Sequence, residues 1–362
     1  MCRSPRCSEP AGRRCRVRIR AAAGARGVSD RFSVLWLQSG GCGGCSMSLL
    51  NAESPDLYQT LELAGIDMLW HPSLSEASNG EFIDLLQRVC DGSQPLDALC
   101  LEGSVMRGPN NTGRFHMLAG TGRPMMDWLR ELSDKARYTL AIGSCAAFGG
   151  IPMAGDNPGG ACGLQYDGKR SGGLLDRDWQ SSGGMPVINV AGCPTHPGWV
   201  TDTLMALAVG ELDAAALDSL NRPRSYTDHL VHHGCTRNEF YEFKASAELA
   251  SDQGCMMEHM GCLGTQAHAD CNRRPWNGEG SCIRGGYACI NCTAPGFEEP
   301  GHTFTETPKI AGIPIGLPTD MPKAWFVALA ALSKSATPKR VRANATEDHT
   351  VVTPASRKTG LK

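Results

Sequence analysis

Twelve cysteine and histidine side chains between Cys42 and Cys292 are spaced so that they form three groups of four metal donors. The first group is Cys42, Cys45, Cys145 and Cys193, the second is His232, Cys235, Cys255 and Cys262, and the third is Cys271, Cys282, Cys289 and Cys292. Thiolates hold iron–sulfur clusters four at a time, and an imidazole can replace one of them. The pattern therefore predicts three iron–sulfur clusters, which together form a path for electrons.

Disulfide bonds and structural zinc are the two other uses of so many cysteines. Disulfide-rich chains are small and secreted, whereas this chain has 362 residues, enough for two domains. Cys-x-x-Cys pairs are also common in zinc ribbons, where the pairs are close in sequence. Here Cys45, Cys145 and Cys193 are 100 and 48 residues apart. The spacing favours iron–sulfur clusters over zinc, and zinc over disulfides.

The neighbouring histidine and the cysteines outside the three groups need no cluster to explain them. His232 stands in a His-x-x-Cys pair, so we expect it to be the ligand and its neighbour His233 to lie beside the site or at the surface. Six cysteines fall outside the three groups, and we expect a structural role for each, since a free cysteine behaves as a small hydrophobic residue. They are Cys2, Cys7, Cys15, Cys90, Cys100 and Cys162.

The chain from Phe32 to about Leu212 alternates short apolar runs with amphipathic stretches, which is typical of a mostly parallel α/β sheet. Strands are predicted over Phe32–Gln38, Ile66–His71, Leu96–Glu102, Tyr138–Ile142 and Pro186–Val190, and helices over Glu81–Val89, Met125–Lys135 and Trp199–Leu212. The cysteines of the first group follow the first, fourth and fifth strands. Because ligands bind beyond the carboxyl ends of the strands in open α/β sheets, we expect these cysteines to meet at one edge.

Beyond about residue 222 the alternation is lost, glycine and cysteine are frequent, and apolar runs stay short until Ala324–Leu332. Burial alone stabilises such a segment poorly, so we expect metal clusters to serve as its core. The predicted organisation is a disordered basic N-terminal extension over 1–28, an α/β domain over 29–221, an irregular cluster-binding domain over 222–332, and a flexible basic C-terminal tail over 333–362.

The two ends of the chain are basic. Residues 1–27 hold eight arginines against one acid, Glu9, and show no hydrophobic periodicity. Arg13-Arg14 is not followed by an apolar segment, so we do not expect an export signal. We expect instead that translation starts at Val28 and that residues 1–27 are upstream sequence. The C-terminal run Pro338–Arg342 lacks interleaved aromatic residues, so a docking tail for another protein is favoured over nucleic-acid binding. The sequence contains no run of 18 apolar residues, so we predict no membrane span.

Taken in order, the motifs resemble the small subunit of [NiFe] hydrogenases over residues 30–332. They are Cys42-x-x-Cys45, Glu102-Gly103, Gly143-Ser144-Cys145-Ala146, Gly192-Cys193-Pro194, His232-x-x-Cys235-x-Arg237, Gly261-Cys262 and Cys289-x-x-Cys292. The resemblance implies a flavodoxin-like N-terminal domain and a large-subunit partner that binds the nickel–iron centre where H₂ is split. It also implies a proximal cluster on the first group, a distal cluster on the second, and a medial cluster on Cys271, Cys289 and Cys292.

The medial cluster depends on Cys282. Many members of the family have a proline near this position and hold a [3Fe–4S] cluster there, whereas Cys282 stands seven residues before Cys289 and provides a fourth thiol. We therefore expect three [4Fe–4S] clusters. The alternative is a [3Fe–4S] medial cluster beside a bystander Cys282.

Three tracts look like the cytoplasmic H₂-sensing members of the family. They are Val34–Cys45, Ala191–Trp199 and Asn277–Tyr287. The resemblance implies a cytoplasmic protein that signals to a histidine kinase, with the C-terminal tail as the docking segment. Two alternatives stay open: the small subunit of an energy-conserving uptake hydrogenase, and an iron–sulfur subunit of an oxidoreductase that is not a hydrogenase.

Overall fold

Five parallel strands form the central sheet of this computed structural model, which describes residues 31–299, 301–310, 313–319 and 321–348. The strands are β1 (Phe32–Gln38), β2 (Ile66–Trp70), β3 (Ala98–Glu102), β4 (Tyr138–Ile142) and β5 (Ile188–Val190). Their spatial order is β5-β4-β3-β1-β2, which is the flavodoxin-like order. All five predicted strands are present, and the predicted α/β class is confirmed.

Alternate residues of β1 enter two separate hydrophobic cores, one on each face of the sheet. Val34 and Trp36 belong to one core, while Leu35 and Leu37 belong to the other, and all four are buried. This is the expected result for a strand whose side chains point alternately up and down in a sheet that is covered on both faces.

Helices cover both faces of the sheet. They are α1 (Gly44–Leu49), α2 (Leu57–Leu63), α3 (Asn79–Asp91), α4 (Met125–Lys135), α5 (Gly143–Phe148) and α6 (Pro197–Ala208). The predictions for α3, α4 and α6 are confirmed, with ends that differ by four residues or fewer. α1, α2 and α5 were not predicted, because one or two turns are too short to show a hydrophobic period.

Short ladders and single turns make up most of the rest. Val105–Met106 pairs with Ala161–Cys162, Met117–Leu118 with Arg123–Pro124, Tyr166–Asp167 with Arg170–Ser171, and Lys309–Ile310 with Ile313–Pro314. Single 3₁₀ turns lie at Ile151–Met153, Ala214–Ala216 and Val231–Gly234. The short helices α7 (Arg224–Thr227) and α8 (Asn238–Glu242) interrupt an otherwise irregular chain. The irregular character predicted beyond residue 222 agrees with this structure.

The C-terminal part ends in two helices, α9 (Lys323–Ala336) and α10 (Lys339–Asn344). Val341 of α10 is buried and packs with Ala245 and Ala345 against the rings of Phe240 and Phe243. The prediction of a flexible tail is therefore wrong for residues 333–348. This segment was predicted to be flexible because it is basic, but α10 has one apolar face. Burial of Val341 on that face holds α10 against the protein. Residues 349–362 lie outside the described residues.

The described residues from Phe32 onward belong to one compact unit. The division of the chain between residues 221 and 222 stays a prediction, and the predicted N-terminal extension over 1–28 lies outside the described residues. Among the residues that the structure describes, no helix is both long and apolar enough to cross a membrane.

Candidate iron–sulfur sites

The first donor group gathers at the carboxyl edge of the sheet, as predicted. Cys42 follows β1, Cys45 lies in the first turn of α1, Cys145 lies in α5 directly after β4, and Cys193 follows β5. The electrostatic influence of Cys193 and Cys42 on the Cys145 thiol shows that these side chains are neighbours. Burial raises the pKa of Cys145 to about 12, and the two neighbouring sulfurs add to that effect. Three segments far apart in sequence thus contribute to one place, which we call the proximal site.

Glu102 lies at the centre of this edge and holds the first cysteine loop. It ends β3, in register between Gln38 of β1 and Ile142 of β4, and its side chain is buried. One carboxylate oxygen accepts the backbone N–H groups of Cys45 and Ser46 at 2.9 and 3.0 Å. The other accepts the Gln38 amide at 3.0 Å and the Trp36 indole N–H at 3.2 Å. Charge-assisted hydrogen bonds of this kind are strong, so Glu102 fixes the start of α1.

Gly143 allows the Cys45 thiol to approach the end of β4. A Cβ atom at this position would lie 2.5 Å from the Cys45 sulfur, and the backbone φ of +83° is one that side chains rarely adopt. Any larger residue would displace the sulfur. The glycine of the Gly143-Ser144-Cys145 motif is therefore required by the geometry of the proximal site.

The second donor group surrounds a single small cavity. His232, Cys235, Cys255 and Cys262 all line it, together with Arg237, Tyr241 and Ile283. His233 is not among the lining residues; its Nδ1 atom accepts the Leu230 N–H at 3.3 Å. Burial raises the pKa of Cys235 to about 11 and that of Cys255 to about 12, so water is largely excluded from both sulfurs. The structure thus gathers the four predicted donors in what we call the distal site.

A buried arginine stands beside the distal sulfurs. Arg237 is two residues after Cys235, donates its backbone N–H to that sulfur at 3.3 Å, and donates its guanidinium to the carbonyls of Asp252 and Gly254. Its charge acts on Cys235 and Cys262 and lowers the pKa of each thiol against the effect of burial. The guanidinium thus favours negative charge on the sulfurs.

The third donor group also comes together, at what we call the medial site. Cys292 and Cys282 both act electrostatically on the Cys271 thiol, and Cys262 of the distal site, Cys292 and Cys271 act on Cys289. Cys282 lies at the surface, yet it is close enough to raise the pKa of both Cys271 and Cys292. Cys282 thus lies near Cys271 and Cys292, and its electrostatic influence also reaches Cys193 and Cys262 of the neighbouring sites.

The three sites lie in the order proximal, medial, distal, and they adjoin one another. Between proximal and medial sites, a backbone hydrogen bond from Cys193 lowers the pKa of the Cys292 thiol, although burial raises it overall to about 12. Between medial and distal sites, the Cys289 N–H donates to the Cys262 sulfur at 3.3 Å. Neighbouring sites are thus in direct contact through the protein.

The donor sets fit iron–sulfur clusters. Two sites offer four thiols and the third offers three thiols and an imidazole, which are the ligand sets that such clusters take. In the described part of the chain, no three histidine, cysteine or acidic side chains converge in the way that one metal ion would require. Cys100 and Cys162 are fully buried, and Cys90 packs against the core from α3. Cys2, Cys7 and Cys15 lie outside the described residues.

Side-chain hydrogen bonds between the sites could not be read from the sequence. The Ser144 hydroxyl accepts the Gly192 N–H at 2.9 Å and donates to the Cys292 carbonyl. The Trp199 indole donates to Asp270, next to Cys271, at 2.6 Å. The motifs contained Ser144 and Trp199, but nothing in their spacing indicated these partners.

Comparison with known proteins identifies relatives of both parts of the chain. The family profile described as "NADH ubiquinone oxidoreductase, 20 Kd subunit" matches residues 42–207, and the profile for the C-terminal region of the "NiFe/NiFeSe hydrogenase small subunit" matches residues 227–305. The second match, which covers the medial and distal donors, distinguishes a hydrogenase subunit from other oxidoreductase subunits.

Individual relatives match over most of the chain. The F420 non-reducing hydrogenase II small subunit of Methanosarcina mazei is 31% identical over 293 residues, covering 74% of this chain and 73% of the relative. The periplasmic [NiFeSe] hydrogenase small subunit of Desulfomicrobium baculatum is 30% identical, covering 76% and 87%. A chain of the Actinobacterial-type NiFe-hydrogenase from Ralstonia eutropha H16 superposes with a TM-score of 0.70 at 28% identity, covering 86% and 92%.

Members of this family carry iron–sulfur clusters and pair with a large subunit that holds the catalytic centre. The α/β fold, the three adjoining donor groups and the similarities of sequence and structure agree on one assignment. The chain belongs to the small subunits of [NiFe] hydrogenases and is the electron-transferring subunit of an H₂-oxidoreductase.

Proposed function

We propose that this chain binds three [4Fe–4S] clusters and is the small subunit of a cytoplasmic H₂-sensing [NiFe] hydrogenase that signals to a histidine kinase. The proximal cluster is held by Cys42, Cys45, Cys145 and Cys193, the medial by Cys271, Cys282, Cys289 and Cys292, and the distal by His232, Cys235, Cys255 and Cys262. The observation that supports the three clusters best is the contact between successive donor groups, Cys193 with Cys292 and Cys262 with Cys289.

Bound clusters supply one-electron transfer, and the protein sets the conditions for it. Burial keeps water from Cys292 at the medial site and from Cys255 at the distal site, while Arg237 favours negative charge at the distal site. Hydrogen bonds to sulfur and a nearby cation both raise a reduction potential. An imidazole in place of one thiolate acts in the same direction, so the distal site is suited to be the electron acceptor of the series.

The proximal edge is suited to the large subunit. Cys42 and Cys193 are exposed, whereas Cys255 and Cys289 are enclosed by the protein. Beside them, Met47 is 66% exposed and Leu50 is 46% exposed. Exposed apolar side chains around exposed ligands are typical of a surface that a partner covers. The large subunit would complete the shielding of the proximal site.

The sensing role rests on the tracts that resemble H₂-sensing members, two of which supply Cys42, Cys45 and Cys193. The C-terminal region supports a protein partner, because α9 exposes Trp325, Leu329 and Leu332 at positions i, i+4 and i+7. These side chains form one apolar face of the helix. We infer that the kinase docks on this face rather than on a flexible tail.

Deletion of the gene in its native host tests the sensing role against fuel oxidation. If the chain is a sensor subunit, its deletion abolishes H₂-dependent transcription of the other hydrogenase genes. When those genes are expressed from an independent promoter, the deletion leaves H₂ consumption by their enzymes unchanged. Loss of H₂ consumption itself under that promoter would identify an uptake enzyme instead. Co-purification of a histidine kinase that is lost in Trp325→Ser/Leu332→Ser would support the docking face, with the exposed Leu63→Ser on α2 as the control.

A further inference from the structure

A second cavity, of about 280 Å³, lies directly beside the distal site. Cys255 and Tyr241 line both this cavity and the distal site. Its volume is at the lower end of the range for small-molecule sites. A molecule bound here would therefore be small and would touch a predicted distal ligand.

One side of the cavity comes from segments outside the matched family regions, while Tyr241, Lys244 and Cys255 on the other side lie within residues 227–305. Helix α9 contributes Phe326 and Ala330, and the short ladder contributes Lys309 and Ile313. All of these residues follow residue 305, where the second family match ends. Segments that follow the matched region therefore complete the cavity against the part of the chain that holds the predicted distal donors.

The lining combines apolar walls with an excess of amines. Lys244, Lys309 and Lys334 line the cavity against one acid, Glu258. Lys309 pairs with Glu258 at 2.8 Å. Lys244 has its amine 3.8 Å from the centre of the Tyr241 ring and 5.0 Å from that of Phe326.

Lys244 is held in place by its surroundings. Its amine donates to the Tyr241 carbonyl at 2.9 Å, and its backbone adopts a φ of +53°, which is uncommon for a side chain of this size. Burial lowers the pKa of the amine. An ammonium group has three N–H donors. The Lys244 amine uses one of them for the Tyr241 carbonyl and keeps two for a bound molecule. The amine is thus a positioned donor over aromatic rings.

We propose that this cavity binds a p-quinone of naphthoquinone size. The apolar walls from α9 and the Tyr241 and Phe326 rings suit a planar aromatic molecule, and the lysine amines suit its carbonyl oxygens. Reduction of such a molecule adds negative charge to these oxygens, which the amines would stabilise. The inference goes beyond the sensing role and rests on the assignment of Cys255 to the distal site.

The redox chemistry balances with the reaction of the enzyme family. Oxidation of H₂ releases two electrons and two protons. A quinone that takes up two electrons and two protons becomes a hydroquinone, with both carbonyl oxygens converted to hydroxyls. No additional reductant is required.

Binding of menadione (2-methyl-1,4-naphthoquinone) to the oxidised, as-isolated heterodimer tests the site without turnover. We expect saturable binding of one molecule per small subunit, measured by equilibrium dialysis. Ala330→Trp fills the cavity and should weaken binding at least about tenfold. Ala328→Trp introduces the same side chain on α9 at an exposed position outside the cavity, and it should leave binding within about twofold of the wild type.

Lys244→Met provides a second variant that keeps the volume of the side chain and removes the amine; it should weaken binding about tenfold. Absence of saturable binding to the wild type would overturn the proposal, as would unchanged binding in both Ala330→Trp and Lys244→Met. Binding of flavin mononucleotide in place of menadione would also overturn it. H₂-dependent reduction of benzyl viologen, measured on the same samples, shows separately whether the electron path itself is intact.

Discussion

The hydroxyl of Ser144 donates a hydrogen bond to the carbonyl of Cys292, so the residue before the predicted proximal ligand Cys145 is hydrogen-bonded directly to the predicted medial ligand Cys292. The same hydroxyl accepts the N–H of Gly192, the residue before Cys193. One side chain therefore connects three ligand-bearing segments: α5, the turn after β5 and the Cys289-x-x-Cys292 loop. The relative position of the proximal and medial sites depends on this connection.

Ser144→Ala should destabilise the protein by about 1–3 kcal/mol, because a buried donor and a buried acceptor lose their partner. The measurement is the free energy of unfolding from chemical denaturation of the anaerobically purified heterodimer. Ser133→Ala is the matched control, since Ser133 is buried in α4 with no hydrogen-bond partner for its hydroxyl. Equal stability of the two variants would show that the Ser144 connection contributes nothing.

Glu102→Ala should cause selective loss of the proximal cluster. The N–H groups of Cys45 and Ser46, together with the Trp36 indole, lose their acceptor in a buried region. The expected result is a loss of about a third of the cluster iron in this chain, while the medial and distal EPR signals persist. Glu102→Gln, which keeps one acceptor oxygen, should retain more iron. Full iron content in Glu102→Ala would contradict the role given to this carboxylate.

Stability should fall as the pH is lowered from 6.5 to about 4, in part because of His71. Its ring is fully buried against Trp36, and its Nδ1 atom accepts the Ser73 N–H at 3.1 Å. Burial lowers the pKa of His71 from the usual 6.5 to about 4, against the opposing influence of Glu102.

The unfolded chain therefore binds one more proton than the folded chain in this window, and acid favours unfolding. The measurement is the fall in melting temperature between pH 7 and pH 5. His71→Gln keeps an acceptor for the Ser73 N–H and removes the titration, so its fall should be smaller than that of the wild type. An identical fall would show that His71 does not contribute.

Cys282 should be the fourth ligand of the medial cluster. The wild-type heterodimer, oxidised in air, should then show no [3Fe–4S] EPR signal. Cys282→Pro and Cys282→Ala should each create that signal and leave H₂ cleavage intact, because the active centre belongs to the large subunit. Cys90→Ala removes a thiol outside the three sites and should create no signal. A wild-type protein with one [3Fe–4S] spin per molecule would contradict the assignment.

Much of the α/β half could be predicted because its signals are local. Phe32–Gln38 and Tyr138–Ile142 are short, mostly apolar runs, and both strands have the predicted ends. Since strands of a parallel sheet end at the same edge, the positions of Cys42, Cys145 and Cys193 after three of them predicted their convergence. The structure places the proximal cysteines at this edge and the four distal donors around one cavity, and the role of the twelve residues as cluster ligands stays a prediction.

The remaining features depend on contacts between distant segments. The Ser144–Cys292 hydrogen bond joins residues 148 positions apart. The burial of Val341 depends on Phe240 and Phe243, about a hundred residues earlier in the chain. The cavity beside Cys255 exists only because α9 packs over that region. Neither periodicity nor motif spacing contains information about such packing.

The central claim is that this chain holds three four-iron clusters in series. The most direct test is Mössbauer spectroscopy of the ⁵⁷Fe-enriched heterodimer, combined with zinc analysis of the same sample. Three [4Fe–4S] clusters predict about twelve cluster irons in this chain, in addition to the single iron of the nickel–iron centre in the partner, with no stoichiometric zinc. A single cluster, or zinc in place of the medial or distal iron, would contradict the account.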